Sequence, residues 1–331
     1  MAAIPRAFEV GISLSSEEQG PAALVRVAHR AEELGFGFAM ISDHFHPWID
    51  QQGQSPFVWS VLGAIAQATE RLRIGTAVTC PLIRIHPVVL AQAAATTSVL
   101  MEGRFLFGVG TGENLNEHVV GARWPPIDVR LEMLEEAVAL IRHLWQGGLR
   151  SWRGRHYTVE DARVYTLPEP VPPILVAAGG RKSAELAGRI GDGLIAVEPD
   201  QELAQTFSGA GGGRKPRYGQ VAACWAPDRD RALETAHRWW PLAGVPGPLR
   251  SELRLPSQFE AACRLVRPEE VARKIVLGPD PEPHAKALQE FQGAGYEHVF
   301  VHQVGPDQEG FLEFYAKEVL PAVNATQRKP G

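Results

Sequence analysis

The cluster with most chemistry in this chain is Ser42-Asp43-His44-Phe45-His46-Pro47-Trp48. A histidine titrates near ~6.5, so it can accept a proton from a hydroxyl at working pH. A carboxylate close by orients the ring and supports its charged form. An Asp, two His and a Trp are costly to place together unless their polar groups are paired or hydrated. A satisfied structural network is the competing reading, and it suits His46, just before a proline, better than His44. His44-Phe45-His46 is also an H-x-H pair, to which Glu113 and His302 could add ligands for a hydrolytic metal. Two later strands end without histidine, however, so no metal is expected.

A second cluster is Gly108-Val109-Gly110-Thr111-Gly112-Glu113-Asn114-Leu115-Asn116. Alternating glycines let backbone approach a flat ligand, because no Cβ intervenes. The dinucleotide fingerprint G-x-G-x-x-G is not met, since Glu113 stands at its third glycine. A tight structural turn would look similar. A third cluster, Ala177-Ala178-Gly179-Gly180-Arg181-Lys182, leads into a helix whose free N–H groups suit a phosphate; an ordinary β-to-α turn is the alternative. Thr76-Ala77-Val78-Thr79-Cys80-Pro81 is expected to serve as a wall. Gly213-Arg214-Lys215-Pro216 lacks the Ser or Thr of a P-loop.

These clusters need a scaffold that gathers strand ends. Apolar strand-like runs occur at Phe8–Leu14, Phe38–Phe45, Arg73–Cys80, Phe105–Gly112, Ile174–Ala178, Gly193–Glu198, Tyr218–Ala226 and His298–Val304. Between them apolar residues recur at three- and four-residue steps, as in Leu131, Leu134, Val138, Ile141 and Trp145, which predicts helices. Near-continuous apolar strands imply that both faces are covered. Eight strands alternating with helices predict a (β/α)₈ TIM barrel, with the active site at the strand C-termini. The barrel is read as one domain over residues 1–331, with insertions at about 148–167 (a hairpin) and 243–258 (a long proline-bearing loop). Ser208–Lys215 is read as a mobile glycine-rich stretch.

The chain has 331 residues, 45% hydrophobic and 21% charged, with a formal net charge of −5. That suits a large apolar core and argues against a nucleic-acid partner. Three scattered cysteines fit neither a disulfide framework nor zinc spacing. Met1–Glu9 lacks the apolar core of a signal peptide and Ala322–Gly331 is a short polar tail. No apolar run reaches the ~20 residues that span a membrane. A cytoplasmic enzyme is expected.

Together the motifs resemble the luciferase-like barrel superfamily and, within it, the coenzyme F420-dependent glucose-6-phosphate dehydrogenase family. The matching residues include Ser42-Asp43-His44-Phe45, Pro47-Trp48, Gly75-Thr76, Pro81, Gly108 through Glu113, Leu115-Asn116-Glu117, Trp124-Pro125, Leu144-Trp145, Ala177 through Gly180 and Ala187 through Gly193. The resemblance implies hydride transfer from a substrate CH–OH to the deazaflavin F420. His44 would take the hydroxyl proton, Trp48 would pack beside the transferring hydrogen, and Glu113 would be the complementary acid. Asp43, Thr76, Ala77, Val78, Thr111, Gly112, Asn116, Ala178, Gly179 and Gly180 would hold the cofactor, with a cis peptide before Val78. It also implies a homodimer, for which Trp239 and Trp240 are the candidate surface hydrophobics.

The resemblance frays at the substrate phosphate. One family lysine aligns with Glu198-Pro199-Asp200, while Arg250 and Lys274 stand at the other two cation positions. A sugar phosphate is the expected substrate. A non-phosphorylated alcohol, and an FMN-dependent monooxygenase of the same superfamily, are the alternatives.

Overall fold

The computed structural model describes residues 8–327. The outer parts of Met1–Glu9 and of the Ala322–Gly331 tail therefore lie outside the described residues. Eleven strands are present among the described residues: β1 (Glu9–Leu14), β2 (Phe38–Ile41), β3 (Arg73–Thr76), β4 (Phe105–Val109), β5 (Arg150–Arg153), β6 (Thr158–Ala162), β7 (Ile174–Ala177), β8 (Gly193–Ala196), β9 (Arg217–Cys224), β10 (Val276–Leu277) and β11 (His298–Gln303). Eight of these, β1-β2-β3-β4-β7-β8-β9-β11, pair in parallel, and the β11–β1 contact closes the ring. The chain is a closed TIM barrel, as its alternation of strands and helices requires.

Side-chain alternation splits each strand between two cores. Phe38, Met40, Leu106, Leu175, Ile195, Tyr218 and Phe300 point inward and plug the barrel. Gly11 and Gly75 admit these large side chains: a Cβ at Gly11 would lie 2.7 Å from the Phe38 ring, and one at Gly75 2.6 Å from Met40 sulfur. The outward set, including Ile12, Leu14, Ile41, Ile74, Phe105, Phe107 and Val109, packs against the surrounding helices. Each fully buried Leu, Ile or Phe contributes about 1.5–3 kcal/mol. The helix Pro87–Leu100 buries Leu90, Ala91, Ala94 and Ala95, small residues that let it lie close to the sheet. Asp200, Asp228, Asp280 and Asp307 cap four helices that follow strands, three of them barrel strands, each cap being worth ~1 kcal/mol.

Three segments differ from the sequence expectation. Residues 243–258 are not an open loop; Gly247–Glu252 and Pro256–Cys263 are short helices. With Trp48, Ile49, Leu115, Leu242 and Val245, Phe259 builds a separate apolar core that roofs part of the barrel mouth. The glycine-rich stretch is an ordered π-type turn over Ser208–Gly212. It packs so tightly on the helix Arg181–Ile190 that a Cβ at Gly188 would meet Ala210 Cβ at 2.8 Å. Trp239 and Trp240 pack inward against the cluster of Cys224, Val271 and Val304 and do not form a surface patch. Between β4 and β7, β5 and β6 form an antiparallel hairpin whose Tyr157 hydroxyl donates to Leu82 carbonyl at 3.1 Å. Among the described residues no helix is long and apolar enough to cross a membrane.

Candidate active site

The loops that follow β1, β2 and β4 meet around His44. Its Nδ1 lies 3.1 Å from His46 carbonyl and 3.2 Å from Asn116 Nδ2. Its Nε2 lies 3.3 Å from Glu17 Oε1. The His46 carbonyl can accept from Nδ1, and the Glu17 carboxylate lies where it would accept from Nε2 once that nitrogen has taken up a proton. The pocket is thus built for the imidazolium that proton abstraction would create, a preorganised electrostatic stabilisation.

Glu17 is the group that sequence reading missed. It belongs to the Ser15-Ser16-Glu17-Glu18 run just after β1, and strand ends are where this fold puts its chemistry. The rule that singled out β2 and β4 therefore also pointed there. Its carboxylate is 3% exposed and accepts from Trp48 Nε1 at 3.2 Å and from the hydroxyls of Ser42 and Ser15. Burial alone would raise its pKa. His44, the Ser42 hydroxyl, its own backbone amide and His302 outweigh that and hold it below 4.5. The Trp48 ring, held over Glu17, leans on His44 with centroids 4.8 Å apart.

Asn116 explains why His44 stays put. Its Oδ1 accepts from Phe45 N at 2.9 Å and His46 N at 3.3 Å, which turns Nδ2 toward His44 and Glu113 Oε2, 3.4 Å away. Asn116 is 2% exposed, so its amide holds the His44 ring from within and leaves little of its side chain for a cofactor. His46 turns away: its Nδ1 is on Leu115 carbonyl at 3.0 Å and its ring stacks on His118. The H-x-H pair therefore does not converge on a metal.

Beneath the site lies a buried ion cluster. Asp43 Oδ2 accepts from Thr79 Oγ1 and Oδ1 from Arg84 Nη2, both at 2.7 Å. Arg84 also approaches Glu117 Oε1 at 3.5 Å. Burial pulls the Arg84 pKa down, yet Asp43 and Glu117 raise it overall. Burial pushes the Glu117 carboxyl up despite Arg84. Asp43 and Arg84 thus tie the loop after β2 to the loop after β3, and Arg84 reaches on to Glu117 after β4. Direct contact between its carboxylate and a cofactor ring, expected from the resemblance, is not what these distances offer.

The alternating glycines also have another job. A Cβ at Gly108 would lie 1.8 Å from Thr76 carbonyl, at Gly110 2.7 Å from Val78, and at Gly112 2.5 Å from Cys80 sulfur. They make room for the chain after β3, not first of all for a ligand. Thr76 is fully buried, its hydroxyl on Gly108 carbonyl at 2.7 Å. The Ala77–Val78 peptide is cis. Ala77, Val78 and Ala177 remain half-open above the barrel plug and form an apolar shelf that fits a flat ring. Thr111 is half-buried beside it.

The amide of Ala178 is used by Ile195 carbonyl at 2.9 Å. Gly179 and Gly180 are exposed, with open space where a Cβ would stand. They precede the helix Arg181–Ile190, whose first-turn N–H groups lack intrahelical partners and suit a phosphate. Shelf and glycine pair together fit a phosphorylated deazaflavin.

The expected anion site is less settled. Lys274 Nζ pairs with Glu198 Oε1 at 3.2 Å, the two side chains being 55% and 64% exposed. Arg250 lies in the electrostatic field of Glu113 and Glu198, and burial lowers its pKa. It has no ion pair within 4.0 Å among the described residues. Glu198 therefore stands between the two cations.

The family model of the luciferase-like monooxygenases matches residues 6–298. An F420-dependent glucose-6-phosphate dehydrogenase of Microbacterium testaceum is 36% identical over 96% of this chain and 97% of its own length. That of Kribbella flavida is 38% identical over 95% and 98%. Among solved structures, an F420-dependent secondary alcohol dehydrogenase in complex with an F420-acetone adduct superposes with TM-score 0.89. It is 30% identical, over 96% of this chain and 99% of that one. The F420-dependent tetrahydromethanopterin reductase of Methanopyrus kandleri shares the fold, at TM-score 0.78 and 21% identity over 96% of this chain and 99% of that one. The chain belongs to the luciferase-like superfamily and, within it, to the family of F420-dependent glucose-6-phosphate dehydrogenases.

Proposed function

We propose that the protein is an F420-dependent oxidoreductase that oxidises the hydroxyl-bearing carbon of a sugar phosphate, glucose 6-phosphate or a close relative. The class rests on its family and on the shelf and glycine pair that fit the cofactor. When bound, the deazaflavin supplies a carbon that accepts hydride; the protein supplies position and electrostatics. His44 Nε2 takes the substrate's hydroxyl proton. Glu17 and the His46 carbonyl then hold the charged ring. Trp48 walls the space beside it, and Glu113 is a second carboxyl for proton return. Gly179, Gly180 and the first turn of their helix hold the cofactor phosphate, while Ala77 and Val78 support its ring. We assign this activity to a homodimer in the cytoplasm.

The observation that carries the phosphate is Arg250, partly desolvated, without an ion partner among the described residues and in the field of Glu113. A phosphate would complete it with a charge-assisted hydrogen bond. The test is Arg250→Ala, with glucose 6-phosphate and glucose compared. KM should rise about tenfold or more for the phosphorylated sugar alone, because the contact is shared by ground and transition states. An equal change for both sugars removes the phosphate from Arg250. The Lys274–Glu198 pair favours a second reading, a non-phosphorylated alcohol, for which that pair would simply close the rim.

A further inference from the structure

The layer of side chains directly above the barrel plug is divided. On β3, β7 and β8 and just beyond their ends it continues as Ala77, Val78, Ala177 and Val197, all apolar, the first three partly buried and Val197 exposed. On the adjacent strands β9, β11 and β1 it is polar. The plug fixes which residues point inward: Tyr218 and Phe300 do, so Gln220 and His302, two positions on, do as well. The β1–β11 register pairs Ile12 with Val301, and its next step sets Ser13 beside His302.

These three side chains have hydrogen-bonding capacity that the protein does not use. His302 Nε2 donates to Glu18 Oε2 at 2.6 Å, and Glu18 Oε1 accepts from Gly305 N at 2.9 Å. Glu18 thereby fixes the imidazole, and Trp240 packs on it edge to face with centroids 4.4 Å apart. Nδ1 on the other side of the ring has no protein partner among the described residues, and neither do the Ser13 hydroxyl and the Gln220 amide. None of these atoms belongs to the sealed interior. Glu18, which holds His302, is the chain neighbour of Glu17, which faces His44, so this polar arc lies beside the reaction centre. Glu17 and Glu18, consecutive residues, therefore orient two histidines: His44 at the reacting group and His302 on the floor next to it.

We infer that Ser13, Gln220 and His302 form a hydroxyl-recognising subsite, a polar half-floor that reads the substrate's hydroxyls while the apolar half carries the cofactor ring. The ligand class is a polyol, a chain or ring with hydroxyls next to the carbon being oxidised. The inference builds on the dehydrogenase reading above but is independent of the phosphate. A monohydric alcohol would leave these polar groups unpaired, which is the strongest form of discrimination such a site has.

The test compares glucose 6-phosphate, glucose, 2-deoxyglucose 6-phosphate and isopropanol as substrates of wild type, Gln220→Leu and His302→Phe, each saturated with F420. Unchanged F420 affinity, read from cofactor fluorescence, and an unchanged melting temperature establish that the variants are intact; Gln220→Met and His302→Gln replace any that are not. The expected result is that each variant loses about ten- to hundredfold in kcat/KM on the sugars and less than about threefold on isopropanol. The wild-type preference for the 2-hydroxyl should shrink in at least one variant. Equal losses on all substrates, or none on the sugars, overturn the subsite. If wild type treats glucose and its phosphate alike, the phosphate reading fails and the subsite stands on glucose against isopropanol. If wild type oxidises isopropanol but no sugar, the subsite is overturned and the dehydrogenase class stands.

Discussion

The centre around His44 and the rim around Arg250 are built on opposite plans. At the centre every functional side chain is fixed by a second one: Glu17 and Asn116 hold His44, Trp48 rests on Glu17, and Thr79 and Arg84 hold Asp43. At the rim Lys274 and Glu198 are more than half exposed. Buried charges pay for error, because an unpaired one costs several kcal/mol, whereas exposed pairs are worth about 0–1 kcal/mol. The centre can therefore run one reaction, while the rim can exchange charges at little cost in stability. A change of substrate is most easily made there.

The contrast can be broken most visibly at the base. His44→Ala should lower kcat by about 10²–10⁴-fold and leave F420 binding unchanged; stopped-flow turnover and cofactor fluorescence read the two effects separately. Next is the ion cluster. Arg84→Met leaves Asp43 and Glu117 buried without their cation and should cost about 3–5 kcal/mol of stability, measurable by denaturant unfolding. A loss under 1 kcal/mol would mean that the cluster is not what joins the loops.

Glu17→Gln should cost about ten- to hundredfold in kcat, less than loss of the base itself. It also sharpens the comparison through pH. The folded-state pKa of Glu17 lies below its ordinary 4.5, so its carboxylate stabilises the fold fully above that pH. That contribution disappears as pH falls through the folded value. The variant should therefore lose less stability than wild type on acidification below 4.5, as melting curves across that range would show. The smallest effect belongs to the rim. Glu198→Gln should lower KM for a sugar phosphate by a few-fold, more at low salt than at high, and leave isopropanol unaffected.

Much of this was legible in the sequence. Strand runs such as Ile174–Ala178 and Phe105–Val109 are apolar on both sides, so the barrel follows, and with it the strand ends where His44 and Glu113 stand. The partners of those residues were harder to see. Glu17 meets His44 across 27 positions and Arg84 meets Asp43 across 41, and no local period encodes such pairs. Gly108, Gly110 and Gly112 were read as space for a ligand because a missing Cβ looks the same whether cofactor or neighbouring backbone fills the gap. Residues 243–258 read as loop because prolines interrupt any helical period, yet Pro248 and Pro256 sit in the first turns of short helices, where proline is tolerated and, at the first position, favoured.

The most direct test follows the absorbance of oxidised F420 when purified protein is given glucose 6-phosphate near neutral pH. Bleaching is expected with wild type and almost none with His44→Ala. No bleaching by wild type with this sugar, with glucose or with isopropanol would contradict the dehydrogenase reading.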